Sequence, residues 1–373
     1  MMHESTLTLC KDLRHSLHEH PELAWQEHWT KVTLINFLKE HTRLEIVDKD
    51  YYFYAMYQGA GDDPAIAFRA DFDALPIEDS IDQPYASKVP GRGHKCGHDG
   101  HAATLCGLAM EVDRCQPARN VVFLFQPAEE VGEGAKACLS VFDEVEIGEF
   151  YAYHNYPGQA FGTVAIKPDT LALTSKGMNL YFTGKKSHAM RPEDGINPSF
   201  TIASVVDFIR ELQIDSSRFK GFTRITLVEM QVGSNNFGIS AGDGVIRLTI
   251  RAYYDEDLLA LENTIVDYAQ IRADQSQVSF EHDSVEYFPA LVNHLESVHK
   301  VWQACQSIGQ AVQDLEEPFR ASEDFAYFLQ RVPGAMFFVG DGEDYPPLHT
   351  VEFDFPDDLI EIAGDVFYAL IEA

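Results

Sequence analysis

"NVVFLFQPAEE", residues 120–130, runs through five apolar residues and then breaks at Pro127 into two adjacent acids, Glu129 and Glu130. A short unbroken apolar run bounded by a turn reads as a strand buried on both faces. Adjacent carboxylates at its end are costly to bury, at several kcal/mol per ion, unless cations compensate. One of them could bind metal while the other takes a proton from water; a pair of acids on a solvated loop is the plainer reading of the same residues.

Three further segments repeat this build. "PAIAFRADFDALP" (64–76) breaks into Asp71, Asp73 and Pro76, "EFYAYHNYPG" (149–158) breaks at His154 and Pro157, and "GAMFFVGDGEDYPPLH" (334–349) breaks at Gly340 before reaching His349. Buried strands whose chemically able residues all follow the carboxyl end predict an α/β sheet with a site assembled from loops at that edge. Two helices open the chain, "ESTLTLCKDLRHSLHEHPELA" (4–24) and "EHWTKVTLINFLKEH" (27–41), both with helical apolar spacing. "QGAGDDP" (58–64) reads as a hairpin turn.

The densest stretch is "GRGHKCGHDGHAATL" (91–105), which holds His94, Cys96, His98, Asp99 and His101. Residues 101–115 read as a helix, so this loop faces the positive end of a helix dipole. Thiolate, imidazole and carboxylate together suit zinc or a similar transition ion. The glycine between Cys96 and His98 could aim both donors at one ion or at two neighbouring ions. Taken alone the triplet also fits a structural turn, and a cysteine nucleophile activated by histidine is a third reading, although it leaves Glu129, Glu130, His154 and His349 without a joint purpose.

Residues 172–284 have a different rhythm. "LTSKGMNLYFTG" reads as strand, "NPSFTIASVVDFIRELQ" as helix, "FTRITLVEMQVG" and "GVIRLTIRAYY" as strands, "DEDLLALENTIVDYAQIRA" as helix and "QVSFEHDSVEY" as strand. That β-α-β-β-α-β order is the split ferredoxin-like arrangement. It stands between two pieces that both carry candidate site residues, which predicts an inserted domain over 172–284 and a discontinuous catalytic domain over 1–171 and 285–373.

Composition bounds the rest. At 373 residues the chain is long enough for two domains. Lys plus Arg number 28 against 59 Asp plus Glu, a net charge of −31 that repels phosphate backbones and excludes nucleic acid as a partner. No long apolar run signals a membrane span, and the first ten residues lack a signal peptide's pattern, so a cytoplasmic protein is expected. Six scattered cysteines predict no disulfide framework and suit a reducing compartment.

The motifs "RADFDALPIED", "GHKCGHDGHAATL", "FQPAEEVGEGA", "YAYHNYPG", "GKKSHAMRPEDGINP", "SEDFAYFL" and "PPLH", in this order, resemble the M20 metallopeptidase family. Within it they are closest in kind to the amidohydrolase branch of aminoacylases, hippurate hydrolases and auxin-conjugate hydrolases. The resemblance runs from "RHSLHEHPELAWQE" to "LHTVEFDF". It implies a zinc-exopeptidase-like α/β catalytic domain, with a mixed sheet flanked by helices, and an inserted ferredoxin-like lid that also serves as a dimerisation surface. It implies two divalent ions per subunit (Zn, Mn, Ni or Co) held by Cys96, His98, Glu130, His154 and His349, with Glu129 as general base and proton shuttle. Asp71 stands where other branches place a metal-binding histidine, so Asp71 and Asp73 are expected to support the ligands from behind, as are Asp99 and His101. His188 matches a histidine that reaches the substrate carbonyl.

The implied reaction is hydrolysis of an N-acyl-amino acid amide by a metal-activated water. A dipeptidase or aminopeptidase of the same family is the alternative, and a non-catalytic binder of acyl-amino acids is the reading from another class. One segment departs from the branch. Where an Asn-Val-Ile-Pro-like turn is usual, this chain has "GSNNFGISAGDGVI" (233–246), leaving Asn235 and Asn236 as possible substrate contacts.

Overall fold

In the computed structural model, which describes residues 2–214 and 216–373, the opening run is the strand Val121–Gln126, every residue of it buried. It sits inside an eight-stranded mixed sheet. In spatial order the strands are Glu45–Asp48, Phe53–Tyr57, Val121–Gln126, Ala65–Asp71, Ile147–Pro157, Gly334–Gly342, Val164–Ile166 and Val312–Asp314. The four central strands run parallel, so their carboxyl ends share one edge. These are the four segments whose chemistry follows the strand.

Side-chain alternation then builds two apolar layers on this sheet. Phe53, Phe68, Phe123, Phe125, Tyr151, Tyr153 and Phe337 join one core with the buried faces of helices Glu4–Glu19, His28–His41, His98–Cys115, Leu295–Ile308 and Leu359–Glu372. On the other side Phe150 packs against Phe142, Phe325 and Phe328. The helix His98–Cys115 is buried over most of its length, which its small residues Gly100, Ala102, Ala103, Gly107 and Ala109 permit. A Cβ at Gly100 would lie 2.4 Å from the Phe355 ring.

Four strands of this sheet, Glu45–Asp48, Phe53–Tyr57, Val164–Ile166 and Val312–Asp314, were not anticipated from the sequence. The second of them also overturns the hairpin expected at 58–64. Phe53–Tyr57 pairs antiparallel with Val121–Gln126, and that strand separates it from Ala65–Asp71, so residues 58–64 form a crossing connection. Its anchor is remote in sequence: Asn120 accepts the Gly59 amide at 3.0 Å and donates to the Gly61 and Asp63 carbonyls at 3.2 and 2.9 Å. Gly59 is required there, because a Cβ would stand 2.2 Å from the Ala118 carbonyl oxygen.

The chain divides into two compact units. The first takes the chain up to Leu171, then Leu291–Glu317 and Asp324–Ala373; the second is Ala172–Ala290 with Pro318–Glu323. The second unit is a four-stranded antiparallel sheet, ordered Ser279–Phe288, Thr174–Thr183, Asp243–Ala252, Thr223–Val232. This is the ferredoxin-like order, with the first and third strands in the middle. Met178, Leu180, Phe182, Ile246, Leu248 and Ile250 face the helices Ser199–Ile214 and Asp255–Gln275 and form a core of their own. Thr223–Val232 is an edge strand, and its Leu227, Val228 and Met230 are exposed.

Candidate functional site

The parallel strands deliver their terminal residues to one edge of the first unit. Asp71 ends its strand directly beside Gln126, the end of the next. Arg69, fully buried, ties these ends together by donating to Asp71 Oδ2 at 2.7 Å, Gln126 Oε1 at 2.9 Å and Asp324 Oδ1 at 3.2 Å. Asp324, from "SEDFAYFL", also accepts Gln126 Nε2 at 2.7 Å and the Ala135 amide at 2.9 Å. A buried ion pair is tolerable only when its remaining lone pairs and protons are satisfied in this way.

Cys96 and His98 meet at a turn that only glycine allows. Gly97 has φ 100°, and a Cβ there would lie 2.2 Å from Asn155 Oδ1. From this turn Cys96 Sγ reaches to 3.4 Å of His154 Nε2. His98 turns its Nδ1 to the Asp73 carbonyl and carboxylate, both at 3.1 Å, and aims Nε2 at Glu130 Oε1, 3.8 Å away. His349 Nε2 comes to 3.6 Å of the same Glu130 oxygen from a loop whose amide donates to the Lys95 carbonyl. Cys96, His98 and His154 form one group of close donor atoms, Cys96, Glu130 and His349 a second, and His98, Glu129 and Glu130 a third, each group lying within 4.8 Å.

Two of these atoms, His98 Nε2 and Glu130 Oε1, are buried and have no hydrogen-bond partner among the described residues. A separation of 3.6 to 3.8 Å is too long for a nitrogen–oxygen hydrogen bond. It does match two donors on one tetrahedral ion, for which bond lengths of roughly 2.0–2.3 Å put donors about 3.3–3.8 Å apart. The residues therefore fit a bound cation, with His98 held in one orientation by Asp73 and His154 by the Asn155 carbonyl at 2.7 Å.

Electrostatics agree with that geometry. Burial pushes the Cys96 thiol well up, and Glu130, Glu129 and Asp71 push it the same way. Burial would depress His98, but Asp71, Asp73 and Glu130 outweigh it and raise it to about 10. His154 is held well below its ordinary value by burial and by His101, and so is a neutral imidazole. Without a cation, the negative charge gathered here is balanced by protons on Cys96 and His98. Metal binding replaces such protons.

The remaining predicted residues fall around this centre. Asp71 accepts His101 Nδ1 at 2.7 Å; burial would raise its pKa, yet Arg69, His98 and His101 hold it well below the usual range. Asp73 accepts the Glu130 amide at 3.1 Å. Asp99 lies one layer back, against His18 Nδ1 at 2.8 Å. Glu129 is buried and accepts the Asp324 amide at 3.4 Å. Glu27, which sequence reasoning passed over, accepts the amide of Ala128 at 2.8 Å and so grips the left-handed residue (φ 51°) that aims the two acids. Burial and Asp73 raise Glu27 to about 8. Its only signal in the sequence was an acid three residues inside "AWQEH", with nothing to say that it would be buried.

His188, Asn235 and Asn236 belong to the second unit, and all three are exposed. The loops that carry them are joined: the Ala189 amide donates to the Gly238 carbonyl at 2.9 Å and Ser187 Oγ meets Ser240 Oγ at 2.8 Å. His188 Nδ1 accepts the Met190 amide at 3.1 Å, which leaves its proton on Nε2. Asn236 caps its own loop by accepting the Gly238 amide at 2.9 Å.

Comparison with known proteins follows the same lines. Residues 67–373 match the family described as Peptidase family M20/M25/M40. An N-acetylcysteine deacetylase of Bacillus subtilis is 30% identical over 96% of this chain and 95% of its own length. An N-acetyldiaminopimelate deacetylase of Lacticaseibacillus paracasei is 30% identical over 94% of each chain. Among solved structures, the Bacillus subtilis YXEP protein, described as a dinuclear metal-binding peptidase of the M20 family, superposes with a TM-score of 0.85 at 26% identity, covering 99% of this chain and 98% of that one.

Proposed function

The chain belongs to peptidase family M20/M25/M40 and is an amide hydrolase, and within that family we propose that it cleaves N-acyl-amino acids at a centre of two divalent ions held by Cys96, His98, Glu130, His154 and His349. The observation that carries this reading is the buried pair His98 Nε2 and Glu130 Oε1, both unpartnered among the described residues and spaced for a shared cation. The relatives named as deacetylases of N-acetylated amino acids support the substrate class. A mixed sulfur, nitrogen and oxygen donor set suits zinc, manganese, nickel or cobalt.

When bound, a divalent ion at this centre supplies a water acidified from 15.7 to about 7 and a Lewis acid for the carbonyl. Glu129 is the general base. Its carboxylate, buried beside Glu130 and oriented through the Asp324 amide, takes the proton of the attacking water and returns it to the leaving nitrogen. His188 is the helper for the carbonyl oxygen, since its Nε2–H is a donor. Arg69 and Glu27 bring no chemistry of their own; they hold the strand end and the turn from which Asp71, Glu129 and Glu130 project.

The test is paired. Dialysis against EDTA should abolish hydrolysis of N-acetyl- and N-benzoyl-amino acids, with Zn²⁺ or Mn²⁺ restoring it. Glu129→Gln should keep its metal, read by elemental analysis, while kcat falls by about 10²- to 10⁴-fold. Activity that survives chelation would point to Cys96 as a nucleophile, and a Glu129→Gln protein as active as its parent would remove the general base. No turnover of any N-acyl-amino acid despite tight binding would make the protein a binder.

The homodimer is part of the same proposal, through the second unit. Its support is the edge strand Thr223–Val232, with an open row of backbone groups and exposed Leu227, Val228 and Met230. Sedimentation velocity should give a species of twice the chain mass, and Val228→Lys should dissociate it. Among the described residues no helix is long and apolar enough to cross a membrane. The six cysteines are all unpaired, which supports a reducing, cytoplasmic setting.

A further inference from the structure

The proposed ligand His349 comes from an irregular stretch of the first unit. Residues 343–358, between the strand Gly334–Gly342 and the helix Leu359–Glu372, form a strap of turns and extended backbone, and His349 within it takes a left-handed conformation with φ 62°. A residue other than glycine is strained there and stays only where its surroundings hold it. Its side chain is 51% exposed, so packing alone does not fix it. The hold must come from the rest of the strap.

The strap is fastened to a row of basic side chains on the chain's first helix. Lys11, Arg14, His15 and His18 recur at helical spacing along Glu4–Glu19 and so share one face. Arg14 is fully buried. Its Nη1 donates to Asp354 Oδ1 at 2.6 Å and to the Phe355 carbonyl at 3.2 Å, and its Nε lies 2.8 Å from Asp357 Oδ1. His15 Nε2 stands 2.9 Å from the other oxygen of Asp357, and Lys11 donates to Asp358 at 2.7 Å. Tyr85 is layered on the same face: the Arg14 guanidinium lies 4.5 Å from its ring centre, the His15 ring stacks on it at 3.8 Å, and its hydroxyl donates to Asp354 Oδ2 at 2.8 Å. From the other side Arg14 is anchored by Asp99, 3.7 Å away and next to His98 in sequence. Closer to His349 the bonds go to backbone. The Ser80 amide donates to the Val351 carbonyl at 3.0 Å, Lys95 Nζ to the Phe353 carbonyl at 2.9 Å, and the His349 amide to the Lys95 carbonyl at 2.7 Å.

We propose that Arg14 is a positioning residue for the metal centre, acting through the strap to hold His349 in its strained conformation beside Glu130. A guanidinium is a rigid fork of donors, so one that is buried between carboxylates fixes direction as well as distance. At a net charge of −31 the strap's carboxylates, Asp354, Asp357 and Asp358, have few basic partners to meet, and the first helix supplies them. Loss of Arg14 lets the strap relax and His349 turn away, which weakens the donor group of Cys96, Glu130 and His349 and leaves that of Cys96, His98 and His154 in place. The inference rests on His349 being a metal ligand.

A thermodynamic cycle on Zn²⁺ affinity tests it, with the metal-free protein titrated against a competing chelator. His349→Ala should weaken the more loosely held of the two ions. Arg14→Met should weaken the same ion at least about tenfold and change the other by less than about threefold. Introduced into the His349→Ala protein, Arg14→Met should cost less than about threefold further, because the residue it works through is gone. The double variant Asp354→Asn/Asp357→Asn, which spares the buried arginine and its contact with Asp99, should give both results should Arg14→Met fail to fold. Either variant binding both ions like the parent, or losing as much affinity without His349 as with it, would overturn the proposal. A His349→Ala protein that binds both ions like the parent would instead strike His349 from the ligands, and the proposal with it.

Discussion

His18 offers a stability prediction whose size follows from its surroundings. Its ring is fully buried, with Nδ1 at 2.8 Å from Asp99 and Nε2 at 3.2 Å from Asp79. Burial would depress its pKa, but Asp99 and Asp79 overcome that and raise it from 6.5 to about 9. A folded-state pKa above the unfolded one means that the fold binds the proton more tightly than the open chain does. The stabilisation is therefore complete below about pH 6.5 and is lost as pH rises through about 9. A shift of that span corresponds to ~3 kcal/mol. His18→Asn removes the titration while keeping a polar side chain. The protein's three tryptophans, Trp25, Trp29 and Trp302, all lie in the first unit, so tryptophan fluorescence during urea unfolding of EDTA-treated protein reads this unit alone. Glu27 and Asp341, raised to about 8 and about 7, also titrate in the window, but they do so in both proteins and cancel in the comparison. Between pH 6.5 and 9.5 the parent should lose ~3 kcal/mol more than the variant. Parallel curves, within about 1 kcal/mol of each other, would refute the assignment of a buried imidazolium.

Two further substitutions probe the scaffold of the site. Arg69→Met leaves Asp71 and Asp324 buried without their cation, and should cost about 3–5 kcal/mol in urea unfolding and lower the retained metal. Glu27→Ala orphans the buried Ala128 amide, at a cost of about 1–3 kcal/mol, whereas Glu27→Gln keeps an acceptor oxygen there. If Glu27 acts by aiming Glu129, the alanine variant should lose kcat with KM little changed, and the glutamine variant should stay near the parent.

The apolar runs that end in Asp71, Glu129, His154 and Gly340 were legible as buried strands because a strand's burial is written in consecutive residues. The β-α-β-β-α-β order was legible for the same reason, its periods switching between two and 3.6. The mistake at 58–64 shows where that kind of reading stops. A glycine-rich link looks the same whether the strands it joins are paired or have a third strand between them, and Asn120, far along the chain, decides the matter. Glu27 and Arg69 were passed over similarly, since nothing local distinguishes a buried charge from a solvated one.

By itself, then, the sequence determined that the four site-bearing strands are buried, which way each runs into its loop, and which residue types stand at those ends, because periodicity and turn chemistry are local. Tertiary structure alone decided which of those ends are neighbours. The 3.8 Å between His98 and Glu130 and the reach of Arg69 to Asp324 depend on strand order and register. Those are set by the packing of the whole sheet, and the charge on each buried group depends in turn on the neighbours that packing supplies.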